Sequence, residues 1–149
     1  NARLSAEQLA MMLDKESGDI RDMIEKYEQD RVILGYKAII DWDKTDKESV
    51  TALIEVKITP QRDRGFDRVA EKIYNYPEVK AVYLMSGGFD IAVIIEGKTM
   101  REVALFVAEK LALIESVTST ATHCMLRRYK DQGVVYHAPE KDERGEGII

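Results

Sequence analysis

From Val50 to Thr59 apolar and polar positions alternate, with Ala52, Ile54, Val56 and Ile58 on one side and Thr51, Glu55 and Lys57 on the other. That period predicts a strand with one buried face. Phe66, Val69, Ala70, Ile73 and Tyr74 then recur at helical spacing, in a segment opened by Gly65 and stopped by Pro77. Val79 to Glu96 reads as a central hairpin of two apolar strands joined through Gly87 and Gly88. Val79, Ala81, Tyr83 and Met85 alternate with Lys80, Val82 and Leu84, and Ile91 to Ile95 is an unbroken apolar run, as in a strand covered on both faces. Thr99, with Glu102 three positions on, caps a second helix that carries Met100, Val103, Ala104, Val107 and Leu111 along one face. A last strand is predicted over Val117 to Tyr129, where Thr118, Thr120 and Thr122 alternate with Ala121, His123 and Met125. The order strand, helix, strand, strand, helix, strand predicts an α+β fold: a ferredoxin-like βαββαβ domain, with an antiparallel sheet and both helices on one face.

Ahead of that domain, Ser5 and Gln8 form a capping box for a short helix with Leu9, Met12 and Leu13 along one side. After a break from Asp14 to Gly18, Ile20, Met23, Ile24 and Tyr27 predict a second helix ending near Asp30. Two short helices and a tight turn suggest a helix-turn-helix. Val32 to Asp41 is β-prone and predicts a linking strand, followed by a polar connector from Trp42 to Glu48. The expected organisation is a partial helix-turn-helix over 1–31, a linking strand and connector over 32–48, the ferredoxin-like domain over 49–133 and a charged, glycine-containing tail over 134–149.

Composition narrows the function classes. The 149 residues are 45% hydrophobic, enough for a core, and no apolar run approaches the ~20 residues of a membrane span. Without a signal-peptide pattern the chain is expected in the cytoplasm. One cysteine, Cys124, and two histidines exclude an internal disulfide and give no zinc-ligand spacing. Of the net charge of −5, residues 1–43 contribute −4, from six Lys/Arg against ten Asp/Glu, so this part attracts phosphate backbones least. Because the first residue is Asn1, the chain is expected to begin inside a longer protein.

Arg3-Leu4-Ser5 with Leu9-Ala10, Val32-Ile33, Gly35-Tyr36, Ser86-Gly87-Gly88-Phe89-Asp90, and Thr120, Thr122 and Tyr129 occur in an order and spacing that resembles the Lrp/AsnC family of amino-acid-responsive transcriptional regulators. The resemblance implies an N-terminal helix-turn-helix for DNA and a ferredoxin-like effector domain that assembles into dimers and higher rings. The departures lie where DNA would be read. The helix preceding Leu4 is absent, Met23 stands where the family has arginine, Tyr27 where it has leucine, and Arg31 where it has glycine. Arg21 and Lys26 are the DNA-binding candidates, set among Asp19, Asp22, Glu25 and Glu28.

Ser86 to Asp90 is the candidate effector site. Glycines at 87 and 88 expose N–H groups to a carboxylate, and Asp90 can pair with an ammonium, so a free amino acid fits both ends. Asp after a glycine turn also commonly just bonds turn backbone. Thr120 and Thr122 of the last strand can add hydroxyl partners, although threonines on a strand commonly serve β-propensity. His123 and Cys124, on opposite faces of one strand, cannot form a nucleophile and base pair. No catalytic residue, metal or cofactor is expected.

The sequence therefore predicts a transcriptional regulator that binds double-stranded DNA and an amino-acid-like effector. The alternative is an effector-sensing or oligomerisation protein that has lost specific DNA binding; a small enzyme using His123 is a third reading. A homodimer at least is expected, because the helix-free face of the sheet is predicted to carry Leu53, Val82 and Leu84.

Overall fold

The computed structural model describes residues 1–59 and 65–136, in two compact units, 1–41 and 42 onward. The first unit holds α1 (Ala6–Leu13) and α2 (Ser17–Gln29). The Ser5 capping box forms: its hydroxyl accepts the Gln8 N–H at 3.2 Å and its own N–H donates to Gln8 Oε1 at 2.9 Å. The helices pack on each other through Ala10 and Ile20, the buried residues of this unit. Met12, 72% exposed, and Leu13 lie at the surface, contrary to the expected apolar stripe. Two helices cover only one narrow face of each other, so the second half of each stripe stays in solvent.

The end of α2 accounts for one family departure. Arg31 adopts φ +56, its N–H donates to Glu28 O, and the Val32 N–H reaches back to Tyr27 O. This is a Schellman cap with arginine in the left-handed position, where glycine carries no steric penalty. The expected linking strand over 32–41 is not formed: no strand precedes Val50, and Leu34 is 79% exposed. A β-prone segment becomes a strand only on a sheet edge, and this unit contains no sheet.

The second unit is the βαββαβ domain. Its elements are β1 (Val50–Ile58), α3 (Gly65–Tyr74), β2 (Val79–Leu84), β3 (Ile91–Gly97), α4 (Met100–Phe106) continued by a π-helical turn over Val107–Leu111, and β4 (Val117–Cys124). The sheet order is β2-β3-β1-β4, antiparallel throughout. Ala52, Ile54 and Val56 of β1 and Ile91, Val93 and Ile95 of β3 form the core with Val69, Ile73, Val103, Phe106 and Leu111 from the helical segments. Burying each large aliphatic side chain contributes about 1.5–3 kcal/mol, which makes this stripe the main stabilising element. Thr99 caps α4, accepting the Glu102 N–H at 3.2 Å, while Glu102 Oε2 accepts the Lys98 N–H.

Four expectations change. The hairpin is not central, because β2 is an edge strand and only β3 lies between neighbours. A register shift between Val79 and Ala81 changes which side of β2 faces the helices: Val79 and Val82 pack on the core, while Ala81 and Tyr83 sit opposite Ile94 and Ala92 on the helix-free face. Val82 and Leu84 therefore do not belong to that face, although Leu53 does, opposite Ile94 and His123. The last strand stops at Cys124, since β1, its partner, begins at Val50 and the ladder runs out there. Beyond it, β5 (Lys130–Asp131) and β6 (Val134–Val135) form a small hairpin around Gln132 and Gly133, both at positive φ as a type I′ turn requires. The ordered fold thus continues past residue 133; of the expected tail, 137–149 lie outside the described residues. Among the described residues no helix is long and apolar enough to cross a membrane.

Candidate effector-binding loop

β2 and β3 are joined by Met85 to Asp90, a longer connection than a two-residue turn. Gly87 takes φ +148, a backbone that side-chain-bearing residues rarely adopt, and a Cβ added at Gly87 or Gly88 would meet no atom within 4 Å. Ser86, Gly87 and Gly88 are exposed, Phe89 and Asp90 half-buried. The base of the loop is tied down: the Met85 N–H donates to Asp90 O at 2.8 Å and the Asp90 N–H to Val56 O at 3.1 Å. Asp90 Oδ2 accepts the Ile58 N–H at 2.8 Å. One carboxylate oxygen is therefore committed to β1 before any ligand arrives.

Thr120 and Thr122 do not converge on this loop within one chain. They lie opposite Val56 and Ile54 on one edge of β1, while Asp90 and Ile91 lie on the other. Two strand spacings separate them, about 10 Å, more than the ammonium-to-carboxylate span of an amino acid. The loop also lies apart from two depressions of the surface. A depression of about 890 Å³ opens on the helix-free face among Trp42, Tyr83, Ile94, Arg127 and Tyr129, and another of about 270 Å³ lies beside Gly97, Phe106 and Lys110; residues 86–90 border neither.

His123 is on the helix-free face, 54% exposed, with Nε2 3.2 Å from Glu55 Oε1, while Cys124 packs against the core on the other side. The alternation of strand side chains keeps the two apart, as expected. Sequence reasoning missed Glu55 as the partner of His123 and Ile58 as the partner of Asp90. Neither carries a local signal, because cross-strand register decides both.

In the first unit, the Arg21 guanidinium is bound to Glu7 of α1. The Glu7 carboxyl is lowered from 4.5 to about 2, first by its own backbone N–H and then by Arg21 and the Ser5 hydroxyl. Lys26 is exposed, but five residues from Arg21 means about 140° around the helix, so α2 does not present both on one face. Glu28 accepts from the Tyr36 hydroxyl and Glu25 from the Gln29 amide.

The family described as Lrp/AsnC ligand binding domain matches residues 51–135. The HTH-type transcriptional regulator YugG of Bacillus subtilis strain 168 is 46% identical over 145 residues, covering 97% of this chain and 87% of its own. Among solved structures, E. coli AsnC superposes with a TM-score of 0.71 at 19% identity over 90% of this chain and 88% of its own. A regulator from Neisseria meningitidis in complex with L-Met gives 0.71 at 18%, over 90% and 86%. These two show the shared fold, and YugG carries the likeness along nearly the whole sequence. The match of the ligand-binding domain over more than half of the residues, together with that relative, establishes that the chain belongs to the Lrp/AsnC family of transcriptional regulators.

Proposed function

We propose that this regulator senses a free amino acid or similar small zwitterion at the Ser86 to Asp90 loop and that occupancy sets the assembly of DNA-binding dimers in the cytoplasm. The observation that carries the reading is the exposed glycine backbone on a base anchored to β1, within the stretch matched as a ligand-binding domain. The exposed N–H groups of Gly87 and Gly88 suit a carboxylate. A fold relative holds L-Met, which supports the ligand class. Since Thr120 and Thr122 are too distant within one chain, the site belongs at a junction between subunits, with those threonines offered by a second copy. A thermal-shift screen of the twenty amino acids tests this. At one hundred times its dissociation constant a ligand stabilises the folded state by about 2.7 kcal/mol, or roughly 5–10 °C at this chain length. A screen in which no amino acid moves the melting temperature would sink the reading.

DNA contact is assigned to α2 through Arg21 and Lys26. The Arg21–Glu7 pair favours a second reading, a sensor that has lost sequence-specific binding, because a neutralised guanidinium contributes little counterion release. Titration of upstream DNA at several salt concentrations separates the two.

A further inference from the structure

We infer that Asp90 is a positioning residue: its carboxylate is the last rung of the β1–β3 ladder and holds the glycine loop in place, without itself gripping the effector. The inference rests on the effector reading of this loop and revises the ammonium-pairing part that the sequence suggests for Asp90. Along β1, polar backbone groups on one edge recur every second residue. On the edge facing β3, the Val56 carbonyl takes the Asp90 N–H at 3.1 Å. The next donor on that edge is the Ile58 N–H, and there the chain of β3 has already turned away into the loop. The Asp90 side chain supplies the missing acceptor, Oδ2, at 2.8 Å. Ile58 is buried, so this N–H left without a partner would carry the full cost of desolvation. Meanwhile the Asp90 carbonyl holds the Met85 N–H at 2.8 Å, which closes the loop at its neck. The backbone N–H, the carbonyl and one side-chain oxygen of Asp90 thus all face the frame. The exposed positions, Ser86 to Gly88, hang from that neck with open space where a Cβ would be.

What the Ile58 N–H needs is an oxygen acceptor, not a negative charge. An asparagine amide oxygen meets that need at the same side-chain length, whereas alanine does not. A counter-ion for the effector's ammonium would behave the other way, since the neutral amide removes the charge. The two roles therefore separate on one conservative substitution.

The test uses the full chain with Asp90→Asn and Asp90→Ala, the effector probe being whichever amino acid shifts the wild type most. Amide hydrogen exchange at Ile58 is expected to match the wild type in Asp90→Asn and to run about tenfold or more faster in Asp90→Ala. Effector affinity is expected to stay near the wild-type value in Asp90→Asn and to weaken by about tenfold in Asp90→Ala. Loss of affinity in Asp90→Asn with Ile58 still protected overturns the inference, because the charge would then be the grip. So does unchanged Ile58 protection in Asp90→Ala. If Asp90→Ala does not fold, Asp90→Asn decides alone, by whether affinity is kept. If no amino acid binds the wild type, the effector reading fails and the ligand part of this inference with it, while exchange at Ile58 still shows whether the strut exists.

Discussion

Arg31 holds the left-handed position that closes α2, at φ +56, with the Val32 N–H returning to Tyr27 O. An L residue there costs about 1–2 kcal/mol, of which glycine recovers part after its own entropy is counted. Arg31→Gly is expected to stabilise the first unit by about 0.5–1 kcal/mol, seen as a higher denaturation midpoint; an unchanged or lower midpoint would show that the cap is unstrained. The second residue-scale case is Glu78, whose carboxylate is bonded to Lys110, itself 5.1 and 5.5 Å from the ring centroids of Tyr76 and Phe106. The Lys110 bond holds the Glu78 carboxyl below the usual carboxylate range, against burial, which pushes the other way. A depressed folded value means stability that is present above the unfolded value and is lost as pH falls through the folded one. Acid denaturation should therefore remove this contribution below the ordinary carboxylate range, and Glu78→Gln should flatten that limb of the stability–pH curve. Identical limbs for mutant and wild type would count against it.

At the scale of elements, α1 depends on its start more than a longer helix would. Only Ala10 and Ile20 are buried in its unit, so the reciprocal bonds of Ser5 and Gln8 are a large share of what holds α1. Ser5→Ala is expected to cost about 1 kcal/mol, read as lower helical circular dichroism and faster exchange of the Gln8 amide; retention of both would place α1 stability elsewhere. The capping signals were readable because both partners lie within one turn of chain. The linking stretch 32–41 shows the converse: its β-prone composition is plain, yet no strand forms in a unit that contains no sheet. The register shift in β2 shows another limit. Alternation alone assigned Val82 to the helix-free side, and one irregularity near Lys80 reversed every position after it.

For the whole molecule, self-association and DNA binding are the measurable consequences. Leu53, Ile94 and Tyr83, the last 56% exposed, occupy the helix-free face of the sheet. The proposed homodimer covers that face, so light scattering should report at least twice 17.0 kDa, and Tyr83→Asp should shift the population to monomer without loss of folded signal. A wild type that stays monomeric at micromolar concentration would sink the dimer. DNA binding is expected to be weak, with a shallow dependence on salt, because Glu7 neutralises Arg21. Glu7→Gln should then strengthen binding and steepen the slope. Tight, sequence-selective binding by the wild type with a steep slope, or no response to Glu7→Gln, would show that Arg21 is free to reach phosphate.

The order of elements within the βαββαβ domain, the core stripe of β1 and β3, the helix caps and the position of the glycine loop all follow from the sequence, because each depends on residues within a few positions of one another. Periodicity sees one strand or one helix face at a time. The partners of Asp90 and His123, the edge position of β2, the gap between Thr120 and the loop, and the pairing of Arg21 with Glu7 depend on register and on packing between distant segments. A one-residue shift changes such a partner at little local cost, so only the folded arrangement could decide that Asp90 holds Ile58.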